Sequence, residues 1–344
     1  MEAILKSAPG KGQLTLGKVA ELERGPFDVV IRVERAAICG TDFHIFAWDA
    51  WSAGRIKPPL VMGHEFCGSV ESVGREVTSV KPGDFVSAEC HIVCGTCYQC
   101  RTGQGHICAN TVIFGVDRQG AFAERITVPE GNVWKVNPNI PKEHAAIFDP
   151  LGNAVHTVMA APVAARTVVI TGCGPIGLFA VSLASHLGAR VIASDVNADR
   201  LSIAKELGAS VLVNPAKGDA LVEVCRRETG GLGADTVLEM SGSPVALKQG
   251  LEALRMGGEM RLLGIPAGEV PINLAELVIF KGLTMSGIIG RKMYETWYQV
   301  QHFLLHGMLN PAPVITHRLP FGDFQKGFDA IAAGQAGKVI LSFN

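Results

Sequence analysis

Thr167-Val168-Val169-Ile170-Thr171-Gly172-Cys173-Gly174-Pro175-Ile176-Gly177 is the stretch on which the reading of the fold turns. Five β-branched residues in a row favour a buried strand, and the glycine-punctuated segment after them leads into an apolar run over 175–188 that reads as a helix. A further strand over 192–195 closes on an acid, Asp195. A bare G-x-G-x-x-G says little, but strand, glycine turn, helix, strand and acid in that order describe a dinucleotide site. In such a site Gly172 permits the tight turn, Gly174 lets the backbone approach a pyrophosphate, and Gly177 lets helix and strand pack closely. The phosphates would rest on unpaired N–H groups at the helix N-terminus. Asp195 can accept from a ribose hydroxyl and would repel a 2′-phosphate, so the expected cofactor is NAD rather than NADP; Arg200 argues mildly the other way.

Outward from this stretch the alternation continues. A helix is expected over 198–207, a strand at Val211–Val213, a helical segment near 220–228, and strands over 236–240 and 260–263 with a helix between them. That rhythm predicts a doubly wound parallel sheet. Upstream, residues 1 to about 150 hold short β-like runs such as Val29-Val30-Ile31-Arg32-Val33, separated by turn clusters such as Lys81-Pro82-Gly83-Asp84, and read as mostly β. Downstream of Arg291 come a helix through Phe303, another over 323–333, and a strand over 339–341. Pattern alone allows that last strand to extend the parallel sheet or to return to the first half.

At 344 residues, 48% of them hydrophobic, the chain is long enough for two domains. Its 31 basic and 32 acidic residues nearly cancel, with no dense Lys/Arg run, which speaks against nucleic acid or a membrane surface and for a small molecule as partner. No uninterrupted apolar segment is long enough to span a bilayer, and the N-terminus lacks the pattern of a secretory signal. Nine cysteines in that context read as reduced thiols and metal ligands, and the expected compartment is the cytoplasm.

Four of those cysteines, Cys94, Cys97, Cys100 and Cys108, follow one another at x2, x2 and x7 spacings in a polar segment. Four soft thiolates in a tight loop suit a closed, tetrahedral, structural zinc. An iron–sulfur centre is the rival, weakened by the long last gap and by the absence of a proline after Cys108. A second set is fainter. Cys39-Gly40-Thr41-Asp42-x-His44 and Gly63-His64-Glu65 border β-like segments, with Cys39 and His64 25 positions apart. Cys, His and a carboxylate can hold zinc while leaving room for water or substrate, yet spacing alone does not join them, and a lone Cys or His is more often a core residue.

Taken in order, Cys39 with Gly40-Thr41-Asp42, Gly63-His64-Glu65, the four-cysteine lobe and the glycine fingerprint resemble the zinc-containing medium-chain alcohol dehydrogenases, over essentially the whole chain. The resemblance implies an α/β protein. A GroES-like, β-rich catalytic domain would comprise 1–153 and 293–344, with its zinc lobe at about 90–110, and a Rossmann NAD domain would be inserted at 154–292. It implies two Zn2+ ions per chain, one catalytic at Cys39, His64 and Glu65, one structural at the four cysteines. Asp149 would lie close to the catalytic metal, as a ligand, through water, or in the relay. Thr41 and His44 would move a proton. For NAD it adds Ile176, Asp195, Arg200, Leu263-Gly264-Ile265 and Ile288-Ile289.

Further segments narrow the likeness: Trp48-Asp49-x-Trp51, the run from Phe148 to Thr157, Glu295-Thr296-Trp297-Tyr298, Ile315-Thr316-His317-Arg318 and Phe324-Gln325-Lys326-Gly327-Phe328. They resemble the members of the family that oxidise L-threonine to L-2-amino-3-oxobutanoate, and imply a homotetramer. Zinc would lower the pKa of the hydroxyl it binds, and the nicotinamide would take the hydride. Thr41 would pass the proton to His44; alternatively Thr41 is a turn hydroxyl and His44 a solvated surface group. By position His91 and Arg291 are candidates for the substrate's charged ends, and Trp48 and Trp51 either wall the pocket or pack at a subunit contact. The nearest alternative is a polyol or 2,3-butanediol dehydrogenase; a more distant one is a silent, cofactor-binding zinc protein.

Overall fold

The computed structural model describes residues 1–20 and 23–343, and the chain divides into two compact units. The first comprises Met1–Asp149 with Ile315–Asn344 and is built on a seven-stranded sheet. Its spine is the strand Asp28–Ile38, in which Val29, Ile31 and Val33 alternate onto one buried face as the two-residue period of a strand requires. Glu65–Val73 and Lys338–Ser342 both pair antiparallel with this strand. The open question about the tail is thereby settled: Lys338–Ser342 returns to the first unit, with Val339 opposite Ile38 and Ile315–Pro320 parallel on its other side. Val339, Ile340 and Leu341 are all fully buried, which accounts for their uninterrupted apolar run. The helix Phe324–Ala332 packs beside Gly40–Ala47, Phe46 stacking on Phe328 at 5.1 Å between ring centroids.

The second unit, Pro150–Val314, carries a six-stranded sheet in the order Val211–Val213, Arg190–Ser194, Thr167–Thr171, Ala234–Glu239, Leu254–Leu262, Thr284–Gly287. Every neighbouring pair is parallel. This is the doubly wound arrangement that the alternation predicts, with the chain reversing its direction of travel across the sheet beside Thr167–Thr171. Two features escape the sequence pattern. The edge strand Thr284–Gly287 is short and half-exposed, so it shows no hydrophobic alternation. The helix Glu295–Leu305 lies in the second unit, whereas the division expected at residue 293 assigns it to the first. No described helix is long and apolar enough to cross a membrane.

Candidate active site

Strand pairing assembles the fainter of the two donor sets. Cys39 follows the last residue of Asp28–Ile38, and the register that sets Ala37 opposite Glu65 brings His64 and Glu65 to the same end of the sheet. One ligand atom each from Cys39, His64 and Glu65 lie within 4.8 Å of one another, with His64 and Glu65 buried. The turn that delivers them depends on Gly63: its φ is +88°, and a Cβ there would stand 2.2 Å from the Phe122 ring.

The environment of this set is anionic and dry. Asp42, fully buried, accepts from the Cys39 N–H through Oδ2 at 2.9 Å and faces His64 Nδ1 with Oδ1 at 3.7 Å; among the described residues neither of those last two atoms has a hydrogen-bond partner. Burial raises the Asp42 carboxyl pKa, and burial likewise raises that of Glu65 against the pull of Lys338. Burial alone would depress His64, but the Asp42 carboxylate and Cys39 outweigh it and lift the imidazole to about 10. A cluster that holds so much acid out of water calls for a cation, and a thiolate, an imidazole and a carboxylate are the donors zinc takes in sites that keep a position open.

The remaining expected residues sit on several elements of the two units. Asp149, buried near the start of Phe148–Met159, lies outside the three-donor group and accepts from the Cys90 thiol through Oδ2 at 3.1 Å. Cys90 belongs to a further cluster with Glu89 and His91, in which Glu89 Oε1 lies 2.9 Å from His91 Nδ1. Asn132 fixes this segment by donating to the Glu89 and His91 carbonyls at 2.8 and 2.9 Å. Thr41 sits in the first turn of Gly40–Ala47, next to Cys39 in sequence but for Gly40, and His44 one turn further on. His44 is 60% exposed, and its Nδ1 lies 2.6 Å from Asp49 Oδ2. Asp49 in turn caps Ala50–Arg55, accepting from the Ser52 N–H at 2.9 Å; that bond, with His44, holds its pKa below the usual carboxylate value. Arg291 is 2% exposed and packs against Trp297 within the second unit, so it is built into an interior. Trp48 is partly buried under the Lys6 ammonium, 4.7 Å from its ring, and Trp51 is more exposed, edge-on to His44.

In the four-cysteine lobe one sulfur each from Cys94, Cys97, Cys100 and Cys108 again lie within 4.8 Å of one another. Zn–S bonds of about 2.3 Å at tetrahedral angles place sulfurs about 3.8 Å apart. Cys97 to Cys108 is 3.8 Å and Cys108 to Cys94 is 3.5 Å. These separations fit a single ion; a cluster with inorganic sulfide between its irons would hold the thiolates farther apart. Backbone N–H groups point at the sulfurs, Cys97 to Cys94 at 3.4 Å and Asn110 to Cys108 at 3.3 Å. Such bonds, with Thr96 the strongest contributor, lower the Cys94 pKa to about 5 and favour the thiolate a metal needs.

The residues expected to bind a dinucleotide gather at the carboxyl ends of the parallel strands, where open α/β sheets bind ligands. At Gly172, φ +88°, a Cβ would meet Ser241 backbone at 2.7 Å, and at Gly177 one would meet the Gly172 carbonyl at 1.9 Å; at Gly174 it would meet nothing within 4 Å. Those are the three different constraints expected of the three glycines: turn, helix packing, and open space at the N-terminus of Pro175–His186. Asp195 follows Arg190–Ser194 and accepts from Cys173 and Asn197 N–H groups at 2.6 and 2.8 Å. Arg200 lies in the first turns of Ala198–Glu206, and Ile176 in that of Pro175–His186. Leu263 and Gly264 donate to the Glu239 carbonyl at 2.9 and 3.0 Å, Ile288 donates to that of Leu262 at 2.8 Å, and Ile265 and Ile289 are exposed.

Three residues beyond the expected set organise these sites. Glu239, buried, accepts through Oε1 from Ser241 N–H at 2.9 Å and Gly242 N–H at 3.1 Å, pinning the loop that abuts Gly172 and Gly264. Asp42 locks Cys39 as described. Lys338 places its Nζ 2.7 Å from Glu65 Oε1 and 2.6 Å from Oε2. Asp42 had a local signal, three positions after Cys39; Glu239 and Lys338 had none beyond a charge beside an apolar run.

Known proteins repeat this architecture. Residues 25–138 match the alcohol dehydrogenase GroES-like domain and residues 175–306 the zinc-binding dehydrogenase domain. The chain is 50% identical to the L-threonine 3-dehydrogenase of Symbiobacterium thermophilum, over 99% of this chain and 97% of that one. It is 51% identical to the L-threonine 3-dehydrogenase of Caldanaerobacter subterraneus subsp. tengcongensis over 92% of each. Among solved structures, alcohol dehydrogenase TADH from Thermus sp. ATN1 matches with a TM-score of 0.91 over 100% of both chains at 32% identity. With both domain models and near-full-length relatives in agreement, the chain belongs to the zinc-binding, medium-chain alcohol dehydrogenases, a family of oxidoreductases.

Proposed function

We propose that the chain oxidises the secondary alcohol of L-threonine to L-2-amino-3-oxobutanoate with NAD. The observation that carries this reading is the convergence of Cys39, His64 and Glu65 on one point, in a chain half identical along its length to enzymes named for that reaction. Zinc held by those three residues would supply a Lewis acid that lowers the pKa of a bound hydroxyl, and NAD the acceptor for the hydride. A second zinc would sit in the four-cysteine lobe and stabilise it.

The chain's own part is to orient the alcohol, shield it from water and carry off its proton. Thr41 would take the hydroxyl proton and hand it to His44. Asp49 binds His44 Nδ1 and so fixes the tautomer that leaves Nε2 as acceptor, as a carboxylate orients imidazole in other proton relays. The exposure of His44 lets the proton leave to solvent. Asp149, tied to Cys90, adds negative charge near His64 and Glu65. His91, part-exposed in the same cluster, is our candidate for meeting a charged end of the amino acid. Asp195 favours NAD over NADP.

The exposed Leu274, Ile279 and Phe280 lie just before the edge strand Thr284–Gly287, and support a homotetramer in which such surface is covered. Among the described residues the nine cysteines form no disulfide, which supports a reducing compartment, the cytoplasm. The test is NADH formation with L-threonine before and after zinc restoration, beside 2,3-butanediol and sorbitol. Turnover of either polyol without turnover of threonine replaces the proposal by the polyol reading; a higher kcat/KM with NADP removes the cofactor assignment.

A further inference from the structure

One short helix beside His44 is held in place by side chains at both of its ends. Ala50–Arg55 has six residues, too few to persist unaided, and Gly54 lies in its last turn. Asp49 anchors its start: Oδ1 accepts from the Ser52 N–H at 2.9 Å while Oδ2 meets His44 Nδ1 at 2.6 Å. Arg55 anchors its end. The guanidinium forks onto Asp117, Nε to Oδ1 at 2.9 Å and Nη2 to Oδ2 at 2.7 Å, in the bidentate geometry that fixes direction as well as distance. Asp117 is itself tied to the backbone, its Oδ2 accepting from the Ile113 N–H at 2.9 Å. Burial would raise the Asp117 carboxyl pKa, but Arg55 and that N–H hold it below the usual value. Trp51 lies between the two anchors and meets both, with the Arg55 guanidinium 5.8 Å from its ring centre and the His44 ring edge-on at 6.3 Å.

We propose that Arg55 is a positioning residue for His44: by forking onto Asp117 it anchors the helix that keeps Trp51 against the His44 ring and Asp49 on its Nδ1. The inference rests on the reading of His44 as the acceptor of the substrate's proton. An exposed side chain turns among its rotamers within nanoseconds, and only those that keep Nε2 on the proton's path serve the relay. Asp49 fixes which nitrogen carries the hydrogen, yet a single bond at one corner of the ring still lets the ring pivot about it. The edge contact with Trp51 removes that freedom, and Arg55 keeps Trp51 there. The guanidinium spends two of its nitrogens on Asp117, so Arg55 acts through its neighbours rather than on substrate. The pair is only partly covered, 37% exposed at Arg55 and 24% at Asp117, and such pairs add little to stability, so its loss should leave the fold intact.

Arg55→Ala in the full chain should lower kcat for NADH formation with L-threonine about fivefold, the fall expected when a mostly competent population of His44 becomes a minor one. KM for threonine and for NAD, zinc content and melting temperature should stay as they are. Asp117→Asn weakens the same fork from its other side and carries the same test should Arg55→Ala fold poorly. The decisive arm is the double variant. With His44→Asn already in place, Arg55→Ala should cost nothing further, because a residue that acts only through His44 then has nothing left to position. A second readout needs no turnover: the Trp51 share of the fluorescence, taken as the difference from Trp51→Phe, should become more open to acrylamide quenching in Arg55→Ala. An unchanged kcat, an equal fall with His44→Asn already in place, or unaltered quenching of Trp51 overturns the proposal. If His44→Asn alone turns over at the wild-type rate, the relay reading of His44 itself falls, and the proposal with it.

Discussion

Two of the metal-competent clusters of the first unit, the four-cysteine lobe and the set at Cys39, are built in opposite ways. The four-cysteine lobe takes all its donors from 15 consecutive residues, and its sulfurs are held by the backbone of the same short segment. The site at Cys39 takes its donors from two strand ends and its governing cation from a third, with 273 positions separating Glu65 from Lys338. One is a property of a loop; the other is a property of a sheet. The lobe should therefore fail alone and leave the sheet standing, whereas the sheet-end site should be lost by changes far from it in sequence.

The sharpest way to separate them is His64→Ala. Loss of the metal's transition-state stabilisation, several kcal/mol, should cut kcat/KM about a thousandfold or more, while metal analysis falls from two zinc ions per chain to one and the fold persists. Equal loss of both ions would deny that the sites are independent. Next in size is Cys100→Ser. Structural zinc is worth roughly 10 kcal/mol or more in apparent binding energy, so the segment between the strands His91–Ile92 and Val112–Ile113 should become protease-sensitive, with one zinc retained and detectable turnover. Digestion at wild-type rate would break the claim that zinc orders the lobe.

His44→Asn should lower kcat about a hundredfold at or below neutral pH, where hydroxide is too scarce to replace an imidazole, with zinc content unchanged. A loss of metal would make His44 a ligand instead. Glu239→Gln tests the second unit, where the site is again made by strand ends: KM for NAD should rise several-fold, about 1 kcal/mol for one mismatched buried bond, without change in zinc. The smallest effect serves as a control away from every site. Asp235, bonded to Arg255 at 2.8 Å and to the Thr167 N–H at 2.9 Å, has its carboxyl pKa lowered, burial opposing and Arg255 prevailing. A depressed carboxyl stabilises the fold above its unfolded pKa, and that contribution disappears as pH falls through the folded value. Asp235→Asn should thus cost about 1 kcal/mol or less in urea unfolding at pH 7, and nothing once the carboxyl is protonated in acid.

Much of the fold is legible in the sequence. The glycines at 172, 174 and 177 each meet a different steric demand, and the demands are the ones their spacing announces. The parallel sheet follows from alternation, since strand and helix periods are local. The short edge strand Thr284–Gly287 was not legible, because a half-exposed strand of that length leaves no pattern. The placement of Glu295–Leu305 in the second unit was not either, since an amphipathic helix does not say which surface it covers.

The sequence alone determined the four-cysteine lobe and the nucleotide turn, since covalent spacing already brings their groups together and needs only local backbone geometry to finish the work. It also supplied Cys39, His64 and Glu65 as residues of the right chemistry. Only the tertiary structure decided that they meet, that Asp42 stands behind two of them and that Lys338 holds the third. Register between strands distant in the chain is set by burial along their whole length, and no short window of sequence contains it.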